Sequence, residues 1–582
     1  MRHTLANPRL VATLTLFVLA LISFSTGSKP PDRSTFYVSP GGDDSWPGTK
    51  ERPWRSPGTA CRRMSSGDTL YLLPGRYPMR RFGSDILRPP SGTPEIWTTI
   101  KGSAGKSRAV LSGGDNLATA IDIAGTAYVR IENLEIASDN SVAGTKRWFR
   151  DGISATGDTA SNIVLRDLHI HHLDEFGVNL QDIDGLEIFS CCIEFCGFGA
   201  VGGPEGEDGG WRNVVIDDCR LSHSGHYYRD GDGSNRPYDR PDGVGLEQSA
   251  GPVQITETVA EHNRGDDIDL KTANATVSRC VVANNSCDGV KLWGDGSRIE
   301  NTLIYGTGDG VGGDSPWAGI VIGTEVSGAA FEIVNVTVHD NPSRRAYPIY
   351  VQYDDRDVPI SLIIRNCIIA GGHGAAFFGP SVSLTAEHNL FYRPNDAIQV
   401  EANDSTYGRK QLNALGPGNI YGDPRFIRPG WGVPGDYQLR KGSPAIDAGS
   451  SQHSQIIDID GGSRPAGHGV EIGAYERPKG TRRLRHPGGL SAVFSGKAVK
   501  LRWKDRSKNE TGFVIERRAQ GETAWQRLGM TDAGTESFTD KTASPVKVYS
   551  YRIFAVAGNR YSRYSGEAQA GLSDLRLRAA RR

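Results

Sequence analysis

From Val129 to Ile369 the chain repeats one short phrase, an alternation of apolar residues closed by a small or polar turn. VRIENLEI at Val129, IVLRDLHI at Ile163, LEIFSCCI at Leu186 and VVIDDCRL at Val214 are successive copies, and VQITETVA, ATVSRCVV, SRIENTLI, FEIVNVTV and LIIRNCII continue the series. The sixth residue of each phrase is Leu134, Leu168, Cys191, Cys219, Thr258, Cys280, Thr302, Val336 and Cys367, with several steps of 22 or 23 residues and longer ones that hold loop-like inserts. A strand-turn-strand unit of this length cannot bury its own apolar face, so the units must stack as coils of a right-handed parallel β-helix. The expected fold is all-β: a solenoid of about ten coils, with equivalent positions about 4.8 Å apart. Cys191, Cys219, Cys280 and Cys367 then share one column. The simplest account is a ladder of buried free thiols, although Cys191 and Cys219 lie on neighbouring coils and a bridge between them stays open.

Composition agrees with a turn-rich β chain: 73 glycines, 23% charged and 37% hydrophobic residues, and no sustained helical period. The net charge of −1 offers no field for nucleic acid or an anionic membrane. Arg2, His3 and Arg9 precede an apolar run from Leu10 to Phe24 and then small residues, which reads residues 1–27 as a secretory signal peptide. That run is short for a membrane span, and no other stretch could be one. The expectation is a secreted monomer.

Residues 34–476 read as the β-helix domain, with 34–80 covering its first coil and 86–128 forming irregular early coils. Asp43 and Asp44 sit in a Gly/Pro/Ser-rich segment and read as turn caps. One insert, HYYRDGDGSNRPYDR over 226–240, places Arg229, Arg236, Tyr238 and Arg240 where loops of a solenoid build its binding face. These residues could stack on sugars and pair with carboxylates; a solvated loop is the equal alternative. Residues 419–476, with DPRF, SPAIDAGS and EIGAYE, resemble the end of many secreted bacterial β-helix proteins and read as a closing coil, its Asp458 and Asp460 structural. A basic linker follows at 477–487. Residues 488–571, carrying Trp503 in VKLRWKD, Phe513 in GFVIERR and Tyr549 and Tyr551 in VYSYRIFAVAG, resemble a fibronectin type III domain. A basic tail occupies 572–582.

Between Asp242 and Trp293 one phrase recurs with different polar residues: PDGVGL, GDDIDLK and CDGVKLW. With the apolar pairs Val244/Leu246, Ile268/Leu270 and Val290/Leu292 in register, the residue between each pair is Gly245, Asp269 and Lys291, the last two 22 residues apart. Side chains alternate faces along a strand, so these point outward. One outer column is then Asn179, Gly245, Asp269 and Lys291, and the next Gln181, Glu247, Lys271 and Trp293. Asp151, Asp242, Asp266 with Asp267, Asp288 and Asp309 stand at strand entrances; as Asp-Gly phrases, Asp151, Asp288 and Asp309 read best as turn residues.

Carboxylates stacked at about 5 Å repel, and an all-oxygen site suits Ca²⁺. Such an ion can bridge the protein to the carboxylate of a uronate and acidify the neighbouring hydrogen. Lys291, its pKa lowered by the ion and by desolvation, could remove that hydrogen as a general base, and loss of the glycosidic oxygen would complete β-elimination.

Here the sequence resembles polysaccharide lyase family 9, calcium-dependent pectate lyases on a parallel β-helix, over roughly residues 34–420. The resemblance carries the metal role to Asp242, Asp266 and Asp269 and the catalytic role to Lys291; Glu247, Lys271 and Trp293, in the next outward column, are the expected substrate-binding neighbours. One family aspartate falls on Gly265, and Asp267 is the residue that would replace it as a ligand. The implied substrate is an acidic polysaccharide, with Lys271 as a rival base. A C5-epimerase would share the lysine chemistry. An inverting hydrolase resembling glycoside hydrolase family 28 would use Asp242 with Asp266 and Asp267, although its Gly-His-Gly appears only at Gly372-His373-Gly374. The third reading is a non-catalytic glycan-binding or adhesive β-helix.

Overall fold

Alternating apolar residues stack on their copies in the next coil, and in the computed structural model of the chain they do so in register. Ile163 pairs with Leu186, Leu186 with Val214 and Val214 with Val253, all in parallel. The described residues are 34–103, 108–114, 117–139, 149–225, 241–308, 317–340, 346–352, 358–477, 484–520, 525–557, 560–562 and 564–571. The signal peptide expected at 1–27 and the tail at 572–582 lie outside them. No helix among the described residues is long and apolar enough to cross a membrane.

Three long sheets of 13, 13 and 12 strands form the walls of a right-handed parallel β-helix, and each coil visits them in turn. One coil, for example, contributes Ile183–Phe189 to the first sheet, Cys192–Cys196 to the second and Gly199–Gly202 to the third. Thirteen strands exceed the expected ten or so coils because the N-terminal segment does more than cover the first coil. Thr35–Val38 pairs in parallel with Thr69–Leu72 and starts the first sheet itself. At the far end of the third sheet Ser405–Gly408 returns antiparallel on Ile398–Ala402, which ends the parallel stacking there.

The corner between the first and second sheets is a column of left-handed residues that includes Asp167, Ser190, Asp218, Glu257, Arg279, Asn301, Asn335 and Asn366. The phrase's sixth residue follows directly, buried. Cys191, Cys219, Cys280 and Cys367 are free thiols whose Sγ atoms donate to backbone carbonyls two residues back and on the preceding coil. Thr302 Oγ1 makes the same pair of contacts from the same position. From Cys191 to Thr302 the column is thus held by small side chains with a donor, whereas Leu134, Leu168 and Val336 fill the same position with apolar groups.

Residues 419–476 differ from the closing coil expected of them. Among its described residues only Ile420–Tyr421 joins a long sheet, the second, while Phe426–Arg428 and Asp436–Leu439 pair antiparallel with each other. The chain then lies back along the outer face of that sheet, where Asn366 and Asn335 accept the Ser450 and Gln455 N–H groups and the buried Arg464 reaches Asn301 and Glu476. Asp458 is structural, accepting the N–H groups of Asp460, Gly462 and Glu476.

The C-terminal part is a β-sandwich. Gly488–Ser495, Ala498–Lys504 and Ser537–Asp540 form one antiparallel sheet, and Gly512–Ala519 with Gln526–Asp532 and Tyr549–Ala557 the core of the other. Trp503 is buried with its ring 5.6 Å from that of Phe513, and the Tyr549 hydroxyl accepts the Ser544 N–H.

Candidate active site

The third sheet carries the three recurring phrases on adjacent parallel strands, Asp242–Ser249, Ile268–Thr272 and Val290–Leu292. Val244, Ile268 and Val290 pair across them and are fully buried, so the neighbouring column Gly245, Asp269, Lys291 faces outward. The strand before Asp242–Ser249 is Gly199–Gly202, so Gly202 rather than Asn179 precedes Gly245 in the column.

Register also aligns the strand entrances Asp242, Asp266 and Asp288 on three successive coils. Each takes one backbone bond from the next coil. Asp242 Oδ1 accepts the Asp266 N–H at 2.8 Å, Asp266 Oδ1 the Asp288 N–H at 2.8 Å, and Asp288 Oδ1 the Ala318 N–H at 2.7 Å. Asp151, three strands earlier, does the same for Phe176. An aspartate here therefore holds adjacent coils together through one oxygen, while its second oxygen stays available for chemistry.

The glycines after Asp242 and Asp288 fit corners with no room for a side chain on their own coils: a Cβ on Gly289 would stand 2.4 Å from the Gly319 carbonyl oxygen. Asp267 occupies the equivalent position, and its side chain turns inside the coil. Fully buried, it accepts from Asn263 Nδ2 at 2.7 Å and from the Ala283 N–H at 2.8 Å. Burial pushes its carboxyl well above the ordinary range. The expectation that Asp267 replaces the acid missing at Gly265 therefore fails on direction: it points away from Asp242, Asp266 and Asp269.

Those three do come together, with one oxygen from each within 4.8 Å of the others. Asp242 Oδ2 lies over Gly245, where a Cβ would be 2.7 Å away, so glycine opens the space the carboxylate fills. Trp293 Nε1 donates to Asp269 Oδ1 at 2.8 Å and fixes that side chain. Burial, then the charge of Asp266, raises Asp269 to about 6, and burial with Asp266 and Asp269 raises Asp242 well above its usual value.

Lys291 Nζ stands 3.0 Å from Asp266 Oδ2 and 3.5 Å from Asp288 Oδ2. Asp288, read from sequence as a turn residue, thus also borders the lysine; its 22-residue offset from Asp266 was the signal. Lys271 is paired with Glu247 at 2.8 Å on the half-exposed side of the cluster.

A groove of about 240 Å³ runs from this cluster toward the N-terminal coils, lined by Asp242, Gly245, Glu247, Asp269, Lys271 and the ring pair Phe176 and Phe198. Those rings stand edge to face at 5.1 Å, with Phe198 40% exposed. Sequence reasoning missed both, yet FGVNL at Phe176 copies the DGVGL phrase with an aromatic in the aspartate's place. Arg229, Arg236, Tyr238, Arg240 and Asp309 lie outside the described residues.

No protein-family model matches the chain, and no curated protein matches it. Among solved structures it is similar to XylC in complex with xylose, with a TM-score of 0.49 and 12% identity over 76% of this chain and 99% of that one. It is also similar to pectate lyase Pel9A, with 0.42 and 14% over 76% and 96%. The A-module of the mannuronan C-5 epimerase AlgE4 of Azotobacter vinelandii gives 0.40 and 14% over 66% and 97%. Likeness at this level says nothing of which residues react.

Proposed function

We propose that this protein is a secreted, calcium-dependent polysaccharide lyase that cuts a uronic-acid polymer, pectate or polygalacturonate, by β-elimination. The observation that carries the reading is Lys291 Nζ, 3.0 Å from Asp266 at the edge of an outward cluster of three carboxylates on adjacent strands. Calcium fits that donor set: ligands on opposite sides of the ion stand about 5 Å apart, and a buried all-carboxylate cluster has charge to neutralise. Asp242, Asp266 and Asp269 would hold it, and it would supply a positive charge that attracts a uronate carboxylate and makes the hydrogen on the adjoining carbon more acidic.

Lys291 is the group placed to take that hydrogen as a proton. The C–H electron pair becomes a double bond to the next ring carbon, the bond from that carbon to the glycosidic oxygen breaks, and the oxygen takes a proton from solvent. Asp266 and Asp288 hold Nζ in position for this. At Lys271 partial burial opposes the charge, but the Glu247 hydrogen bond and Asp269 outweigh it and raise its pKa, keeping an ammonium that suits a uronate carboxylate. Phe176 and Phe198 offer apolar surface for a sugar ring along the groove. The hydrolase reading built on Asp242 with Asp266 and Asp267 is disfavoured by the inward turn of Asp267, whose oxygens are taken up inside the coil by Asn263 and the Ala283 N–H.

Incubation with polygalacturonate, with calcium or a chelator, tests the reading by the near-ultraviolet absorbance of unsaturated ends. Calcium-dependent absorbance that Lys291→Ala abolishes is the expected result. Reducing ends without absorbance would establish hydrolysis instead, and an active Lys291→Ala variant would remove the lysine from its role.

A further inference from the structure

The second sheet carries another cluster of ligating side chains, of different chemistry. In its parallel register Glu135 lies beside His169 and His169 beside Cys192, while His171 lies beside Glu194. Residues two apart share a face, so all five stand on the outer surface of three successive coils. Ligand atoms of Glu135, His169 and His171 lie within 4.8 Å of one another, and so do those of His169, Cys192 and Glu194. His169 Nε2 is 3.1 Å from Glu194 Oε1, and His171 Nε2 is 3.5 Å from Glu135 Oε1.

Two further observations point to a ligand. Glu194 is only 9% exposed, and its Oε2 is buried without a hydrogen-bond partner among the described residues. His171 Nδ1 and His172 Nδ1 stand 2.7 Å apart, so one of them donates and the other accepts. With His171 Nδ1–H as donor, its Nε2 turns a lone pair toward the Glu135 carboxylate, which a cation between them would stabilise. This is the outer support that orients metal-binding imidazoles.

We infer that this face binds one Zn²⁺-class divalent cation through the trio Glu135, His169 and His171, with Glu194 or Cys192 of the next strand completing the set. Imidazole, carboxylate and thiol donors suit zinc, whereas the all-oxygen cluster on the third sheet suits calcium. Bound there, the ion cross-links the strands Leu134–Ser138, His169–Leu173 and Cys192–Cys196. The site is separate from the groove chemistry and stands or falls independently of it.

Chelator-stripped full-length protein, with calcium added to fill the acidic cluster, is titrated with Zn²⁺ by calorimetry and with Co²⁺ by visible absorption. Uptake of one equivalent is expected, together with a higher unfolding temperature and Co²⁺ bands of a low-symmetry site. His169→Ala/His171→Ala should lose that equivalent while keeping its action on polygalacturonate. His172→Phe keeps the ring stack on Phe195 and should weaken Zn²⁺ binding about 10–100-fold. Absence of a stoichiometric equivalent in the unaltered protein overturns the site, as does its retention by the double variant; the first measurement decides even if that variant fails to fold. Unchanged affinity in His172→Phe overturns the positioning role.

Discussion

At the scale of single residues, the contrast between Asp267 and Asp269 sorts structure from chemistry. Both are buried acids two positions apart, yet Asp267, at the corner before the strand Ile268–Thr272, turns into the coil, whereas Asp269, on the strand itself, faces out of it. Asp269 is raised to about 6 by burial and by Asp266. A carboxyl whose folded pKa exceeds its unfolded one contributes stability that is present below about pH 4 and lost as pH rises through about 6. Above that range the ionised cluster repels itself, and calcium should offset the repulsion. The rise in unfolding temperature on adding calcium should therefore be small near about pH 5 and larger above about pH 7. Asp267→Asn should keep the whole calcium increment while costing about 1–3 kcal/mol through its mispaired interior contacts. Loss of the increment in Asp267→Asn would restore Asp267 as a ligand.

At the scale of the repeated element, the corner column explains what the sequence shows and what it hides. The 22-residue spacing made the solenoid legible, along with the register that sets Asp269 beside Lys291. Longer steps hid the intervening strand Gly199–Gly202, which has no alternating phrase of its own and so escaped the column count. Alignment of the phrases already sets Asp267 level with Gly243 and Gly289, but only three-dimensional stacking reveals that this position is a close approach of coils from which its side chain turns inward. The cysteines are packing residues too, since on their coils the buried corner holds a small donor rather than a reactive thiol. Burial pushes the Cys280 thiol up to about 12, far from a nucleophile's range. Cys280→Thr, which copies Thr258 and Thr302 on the adjacent coils, should change stability by less than about 1 kcal/mol, whereas Cys280→Leu should cost about 1–3 kcal/mol by overpacking. Chemical denaturation of the two variants checks this, and equal losses would mean that the hydroxyl does not substitute for the thiol.

At the scale of the whole molecule, the question is whether the β-sandwich hangs from the solenoid or is part of it. Along Gly512–Ala519, Phe513 and Ile515 face the sandwich core while Val514, 1% exposed, faces the other way. Along Tyr549–Ala557, Ile553 and Ala555 face inward and Phe554 and Val556 outward, equally buried. The outward set joins one apolar cluster with Val259, Val281, Leu303 and Tyr305 on the second sheet and with Tyr437, Ile459 and Ile472 of the returning segment. Strands buried on both faces read as continuous apolar runs, and FVI and IFAVA are such runs, so the docking was legible where only alternation was sought. Burying a valine or phenylalanine is worth about 1.5–3 kcal/mol, so three of them suffice to couple the two units despite the linker. Calorimetry of the full chain should then show the sandwich and the solenoid unfolding in one transition. Val514→Asp, which leaves the sandwich core intact but places a charge in the shared cluster, should split it into two, with the solenoid melting at the lower temperature because its second sheet is bared. Two transitions already present in the unaltered protein would mean that the cluster is too weak to couple the units.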